Sequence, residues 1–414
     1  MKRLLMIAFH FPPFGLSSGI LRTINFARHL PRFGWEPLIL TAHPRAYQSV
    51  SGGQPVNLPP STIVERAFAL DSARHFALKG RYPRFTARPD RWITWWLGAV
   101  PKGLGMIRTH KPDAIWSTFP IATAHVIGHS LHRLSGLPWI ADFRDPMAQD
   151  GYPADPRVWQ SFKRVEENAV RRASFCVFAA PGAARMYRER YGEALGTRLA
   201  VVENGYDEES FAPLGPSLKD KGPLLPGTFT LVHSGIVYPS ERDPTQLFQA
   251  LRQMLGDGRL KPGELRVRLR APAHEAFLKK LIDGSRLGEI VEIAPSLPYR
   301  EALEEMMRAD GLLVLQASNC NDQIPAKAYE YLRCRRPILA LTDPAGDTAR
   351  LLQGAGTRSI VRLDSAEDIA RELRHFLDGA KRGEAALPSD AFVAGASRLH
   401  RAQELSALLD RLPR

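Results

Sequence analysis

In the stretch Asp322-Gln-Ile-Pro325-Ala-Lys327-Ala-Tyr-Glu330-Tyr331, a lysine and a glutamate stand three residues apart just after a proline that suits the start of a helix. That spacing puts both side chains on one helical face. A cation beside the free N–H groups of a helix N-terminus suits a phosphate, and a carboxylate one turn on suits a ribose diol or sugar hydroxyls. The bland reading of the same pair is a surface salt bridge. Arg242, in Ser234-Gly235-Ile-Val-Tyr-Pro-Ser-Glu-Arg242-Asp-Pro, precedes another expected helix and could meet the same phosphates.

The first half offers three more groups. Gly15, Ser17, Ser18 and Gly19 lie between a strand ending near His10 and an amphipathic helix expected from Ile20 to Leu30, a place where backbone N–H groups favour an anion. The turn is not G-x-G-x-x-G, and an ordinary turn with a serine N-cap reads equally from it. Trp139-Ile-Ala-Asp142-Phe-Arg144-Asp145-Pro146 ends a buried strand with two carboxylates and an arginine. Asp142 and Asp145 could orient a hydroxyl or stabilise positive charge, and Arg144 could pair with either. His125, near the start of a helix expected over Ile121–Ser135, could aim an imidazole into a cleft or simply pack.

Several chemistries have no motif here. There is no D-x-D triplet and no Walker A loop, and Cys176, Cys320 and Cys334 form no zinc or redox spacing. No metal site is expected, so phosphate handling falls to helix ends and to Lys and Arg.

The elements that must position these residues read as βα repeats, because short Val/Ile/Leu-rich runs alternate with longer amphipathic segments along all 414 residues. Expected strands are Arg3–Phe9, Glu36–Thr41, Thr62–Phe68, Ala114–Ser117, Pro138–Asp142, Ser174–Ala179 and Leu199–Val202. After them come Thr228–His233, Leu265–Arg270, Ile290–Ile293, Gly311–Leu315, Pro337–Leu341 and Ser359–Val361. Between residues 212 and 227 four prolines and three glycines mark a linker. The expected fold is therefore α/β, with two tandem Rossmann-like domains, 1–211 and 228–390, facing a central cleft as the default ligand site. A final helix, Ala391–Leu412, is long enough to pack back on the first domain.

The net charge of +13 is confined to one half: residues 1–205 hold 27 Lys/Arg against 14 Asp/Glu, and residues 206–414 hold 29 against 29. Its densest part is Lys79–Arg91, followed by Trp92, Trp95 and Trp96. Basic residues beside tryptophans suit an anionic membrane surface, and they also suit a solvated loop whose tryptophans pack in the core. Nucleic acid is a rival partner on charge alone, but no RNP-like, zinc-finger or helix-turn-helix pattern supports it. The cysteine usage fits a reducing compartment, the N-terminal apolar run is too short for a secretion signal, and no apolar stretch approaches the ~20 residues of a membrane span.

In its motifs the chain resembles the family 4 glycosyltransferases, retaining enzymes of the GT-B fold. The resemblance is carried by Phe11-Pro12-Pro13 with its glycine/serine turn, by Trp139–Pro146, by Val202-Glu-Asn204-Gly205-Tyr206-Asp207, by His233-Ser-Gly235 and by Ile324–Leu332. It implies a nucleotide-sugar donor, a UDP- or GDP-sugar, on the second domain and an acceptor on the first, with no obligatory metal. The two acidic residues that touch the donor in that family, separated by seven others, correspond to Asp322 and Glu330. An arginine usual after the first-turn glycine is replaced by Ile236, which leaves its charge to Arg242 and Lys327. His125 falls where the family places a histidine facing the transferred sugar.

The expected function is sugar transfer with retention to a glycan or lipid-linked acceptor, in cell-envelope or exopolysaccharide synthesis, in the cytoplasm or peripherally on the inner membrane face. A GT-B epimerase or phosphorylase, and a nucleic-acid-binding protein, are the alternatives.

Overall fold

The computed structural model describes residues 1–14, 18–50, 58–79, 81–218 and 221–413. It divides into two compact units, one made of Met1–Glu203 with Arg398–Arg414 and one made of Asn204–Ser397.

The first unit is built on a parallel sheet of β1 (Lys2–Ile7), β2 (Trp35–Ala42), β3 (Ile63–Ala67), β4 (Ala114–Thr118), β5 (Trp139–Arg144), β6 (Phe175–Phe178) and β7 (Leu199–Val201) in the order β3-β2-β1-β4-β5-β6-β7. The central strands are apolar on both faces because helices cover both: every residue of β4, β5 and β6 is buried. Pairing registers such as Leu4↔Ala114 and Ile115↔Trp139 carry each strand's carboxyl end to the same edge.

The second unit repeats the plan with β8 (Phe229–Ser234), β9 (Leu265–Arg270), β10 (Val291–Ala294), β11 (Gly311–Leu315), β12 (Ile338–Leu341) and β13 (Ile360–Val361), ordered β10-β9-β8-β11-β12-β13. Its β9 alternates inward Leu265, Val267 and Leu269 with three arginines. Two of these are neutralised by one carboxylate: Glu305 of the helix Tyr299–Arg308 accepts from Arg268 at 2.9 Å and from Arg270 Nε at 2.8 Å. Glu305 is correspondingly held below the usual carboxylate range: burial opposes this, and the two guanidinium groups outweigh it.

In both sheets the strand order reverses beside the first strand, β1/β4 in one and β8/β11 in the other. Helices on either side of such a switch point leave a crevice at the strands' carboxyl ends, where ligands bind.

The chain departs from expectation at its unit boundaries. The first unit ends at Glu203, ahead of residue 211, and the proline-rich stretch belongs to the second unit. There the short helix Leu214–Leu218 forms, Lys221 pairs with Glu304 at 2.5 Å, and Arg308 donates to the Gly222 carbonyl at 3.1 Å. The expected final helix is two helices, Asp390–Gly395 and Arg398–Asp410, interrupted where the Tyr206 N–H takes the Ala396 carbonyl. Arg398–Asp410 packs on the helix Ser18–His29, burying Ala402, Leu405 and Leu409 with Ile20, Ile24 and Ala27. Lys2 and the Trp35 indole both reach Asp410, at 2.7 and 3.2 Å.

Candidate active site

At the carboxyl edge of the first sheet, β5 delivers Asp142 and Arg144. Asp142 is fully buried and takes a bidentate pair from Arg22, Nε to Oδ2 at 3.0 Å and Nη2 to Oδ1 at 2.8 Å, while Thr118 donates to Oδ2 at 2.8 Å. Arg22 Nη1 also donates to the Glu203 carbonyl at 3.1 Å. Asp142 therefore pairs with Arg22 and not with Arg144. Sequence alone did not single out Arg22; its signal was a basic residue among the apolar positions of the first helix, two residues after Ile20.

Arg144 has left-handed backbone (φ 61°), is 9% exposed, and its Nε is buried without a hydrogen-bond partner. Burial pulls its pKa down, and the Asp145 carboxylate pulls it back. Asp145 is half-buried, and burial raises its pKa despite the charge of Arg144. The loop beyond is pinned from below: Ala148 N–H donates to the buried Glu166 at 3.1 Å, and Met147 N–H donates to the Tyr187 hydroxyl at 3.1 Å. Arg190 spans Glu166 and the Ala148 carbonyl, at 2.8 and 2.7 Å.

His125 lies on the helix Thr123–Ser135, whose first N–H, that of Thr123, donates to Asp90 at 2.7 Å. Its ring is fully buried between Phe143 and Trp139. The Trp139 indole donates to Ser117 Oγ at 2.8 Å, and that hydroxyl lies 2.8 Å from His125 Nδ1. Since Ser117 already accepts from the indole, its own proton is best placed on Nδ1, so the imidazole hydrogen sits on Nε2. Nε2 is buried with no partner, and desolvation holds the ring at a pKa of about 4, neutral at pH 7. Gly128 makes this packing fit: a Cβ there would lie 2.8 Å from both Ser117 Oγ and the indole nitrogen.

Gly15 and Ser17 fall outside the described residues. Ser18 and Gly19 open the helix Ser18–His29, one turn ahead of Arg22.

At the carboxyl edge of the second sheet, β8 runs into Gly235, whose φ of 139° favours glycine. The preceding residue is fixed by the buried Tyr331, whose hydroxyl accepts from Ser234 N–H at 2.8 Å. His233 Nδ1–H donates to the Leu313 carbonyl at 2.9 Å. Desolvation, first of all, holds it neutral with a pKa of about 4, and the nearby Arg242 and Lys327 charges add to this. Arg242 donates to the Ile236 carbonyl at 2.7 Å and stacks on Tyr238, one turn before the helix Thr245–Gly256.

Lys327 and Glu330 share a face of the helix Ala326–Cys334, with Nζ 2.9 Å from Oε2. This is an ion pair rather than a well-aligned hydrogen bond, since Oε2 has no hydrogen-bond partner by geometry. Tyr299 donates to the other oxygen, Oε1, at 2.8 Å, and its ring lies under the lysine. Glu330 is 4% exposed, whereas the lysine side chain keeps about a third of its surface. Asp322 is half-buried in the loop between the turn Ser318–Cys320 and this helix. Structure thus pairs Lys327 with Glu330 on the helix after β11, keeps Arg242 on the loop after the neighbouring β8, and adds Tyr299 and the Tyr331 hydroxyl, roles that the sequence reading did not assign. A cavity of about 310 Å³ beyond Arg242, lined by Asp243, Thr245, Gln316, Asp343, Arg362 and Asp364, contains none of the expected site residues.

The tryptophan stretch divides. Trp95 is in the core, and Trp92 packs on Phe9 and donates to the Ala46 carbonyl at 3.1 Å. Trp96 is 37% exposed beside Leu97 at 60%. No helix among the described residues is long and apolar enough to cross a membrane.

No family model and no curated protein matches the chain by sequence. In fold it is similar to Anabaena HepE in complex with UDP and glucose, at 15% identity and a TM-score of 0.67 over 100% of both chains. It is also similar to sucrose-phosphate synthase from Thermosynechococcus elongatus, at 14% identity and a TM-score of 0.69 over 99% of both. A third such structure is the UDP-forming α,α-trehalose-phosphate synthase of Burkholderia xenovorans with glucose-6-phosphate, at 11% identity and a TM-score of 0.66 over 99% of this chain and 100% of that one. The chain has the GT-B fold, two α/β units each built on a parallel Rossmann-like sheet.

Proposed function

We propose that the chain is a retaining glycosyltransferase of family 4 type, using a UDP- or GDP-sugar and a glycan or lipid-linked acceptor in envelope or exopolysaccharide synthesis. The observation that carries the reading is the Lys327–Glu330–Tyr299 group on the helix after β11, with Gly235 and Arg242 on the loop after β8, the two strands at the switch point of the second sheet. Structures of the same fold with UDP, glucose and glucose-6-phosphate support it.

Breaking a bond between a sugar carbon and a diphosphate builds positive charge on the ring and negative charge on the leaving group. In this proposal Lys327 and Arg242 meet the leaving diphosphate, with Gly235 allowing close backbone approach. Glu330 accepts from the ribose hydroxyls, and Lys327 leaves its carboxylate for phosphate when donor binds. Asp322 addresses the sugar, and His125 offers it Nε2–H, the ring nitrogen left without a partner. Asp142 acts on the site's charge through Arg22, which occupies both its oxygens, and Asp145 orients the acceptor hydroxyl. A thermal-shift panel of nucleotides and nucleotide-sugars tests the donor assignment: UDP or GDP should raise the melting temperature by several degrees, adenine nucleotides much less. No response to any nucleotide would sink it.

Peripheral membrane binding is the second part of the reading, supported by Phe76, Leu78, Trp96 and Leu97, exposed on the same stretch as Lys79, Arg81 and Arg84. Exposed apolar side chains among cations suit an anionic interface. Co-sedimentation should favour anionic over neutral liposomes several-fold, and equal recovery with both removes this part alone.

A further inference from the structure

Arg144 combines two costs at one residue. A non-glycine residue in the left-handed region is strained, and a buried guanidinium without a hydrogen-bonded counter-ion is costly to desolvate. Its backbone lies at φ 61°, it is 9% exposed, its Nε has no partner, and no ion pair or hydrogen bond from its guanidinium reaches any described residue. The carboxylate a salt bridge would have used, Asp142, is given to Arg22 instead. Asp145, the next residue, stays beyond ion-pair distance. Chains keep such local conflicts where a ligand resolves them.

The surroundings say which ligand. His10, just past the end of β1, has its Nδ1 likewise buried without a partner, and burial first, then the charge of Arg144, keeps its ring neutral with a pKa of about 4. Arg22 and Arg398 also lie within electrostatic reach of Arg144. A planar guanidinium fork whose N–H groups have no hydrogen-bond partner matches a phosphate better than a single-point acceptor does.

We infer that Arg144, with His10, is the receptor for a phosphate group carried by the acceptor. This rests on the transferase reading for the word acceptor, but the phosphate site stands on the first unit alone and is separate from Arg242 and Lys327 of the second. Arg144 binds the phosphate oxygens through its fork, and His10 adds one hydrogen bond.

The test uses the full chain in an Arg242→Gln/Lys327→Ala background, so that the second unit's cations cannot answer for Arg144. Calorimetric titration with inorganic phosphate should give saturable binding that weakens at least tenfold with Arg144→Gln and to a lesser degree with Arg144→Lys, which keeps the charge and loses the fork. Without ligand, Arg144→Gln should melt at or above the parent temperature, because it removes an uncompensated buried cation. Unchanged phosphate affinity in Arg144→Gln overturns the inference; should that variant not fold, unchanged affinity in Arg144→Lys overturns it equally. Glucose 6-phosphate against vesicles containing phosphatidic acid separates a soluble phosphosugar from a lipid phosphate, and Arg144-dependent binding of either supports the site. UDP binding by the wild-type chain is measured alongside. If UDP binds and phosphate affinity ignores Arg144, the inference fails alone, and if UDP does not bind while phosphate affinity depends on Arg144, the transferase reading fails alone.

Discussion

Lys327→Ala should lower kcat/KM for a nucleotide-sugar by about two to three orders of magnitude, the loss expected when one preorganised donor to a leaving group's developing charge is removed. Its third-exposed side chain can turn from Glu330 to a diphosphate at little cost, so the ground-state ion pair does not bind it too tightly to act. Glu330 is the more delicate position, since its buried carboxylate also holds Tyr299. Glu330→Gln keeps an acceptor for the tyrosine and removes the charge, and should raise KM for the donor about tenfold, with kcat less affected. Both are read by initial rates on the purified variants, with urea midpoints to separate turnover from folding. Wild-type rates in both variants would remove the donor site from this helix.

Arg22→Met should destabilise the first unit by about 3–5 kcal/mol, because it strands the Asp142 carboxylate in a fully buried position with Thr118 as its remaining side-chain donor. Adding Asp142→Asn should recover most of that loss, since the stranded charge is then gone, even though the single replacement of either partner is harmful. Urea unfolding of the two single variants and the double variant measures this. A single-variant loss below about 1 kcal/mol would show that the pair contributes no more than an exposed salt bridge.

Central strands such as β4 and β11 were legible because a strand covered on both faces must be apolar throughout, and such runs stand out against amphipathic helices. Ala114–Thr118 and Gly311–Leu315 are wholly buried and were placed to within a residue. The Lys327–Glu330 pairing was legible too, since it depends on a helical repeat of three residues. Contacts that need the folded chain were not. Arg22 and Asp142 are 120 residues apart, and the sequence near Arg144 offered two closer carboxylates, so local chemistry pointed to the wrong pair. Tyr331 and Ser234 are 97 residues apart, and Tyr299 and Glu330 are 31 apart; a tyrosine hydroxyl that serves a backbone N–H or a carboxylate leaves no spacing to read. The final helix was misread because its amphipathic pattern runs through Ala396 and Ser397, where a backbone bond to Tyr206 interrupts it.

The return of Arg398–Asp410 to the first unit sets an order of events during translation. The apolar positions Ile20, Ile24 and Ala27 leave the ribosome ahead of the whole unit made of Asn204–Ser397 and stay without their covering helix until Ala402, Leu405 and Leu409 have followed. At about 5–20 residues per second the wait lasts tens of seconds. The unit made of Asn204–Ser397 is contiguous and can close before the one that began first, so the nascent N-terminal half is the part most in need of a chaperone.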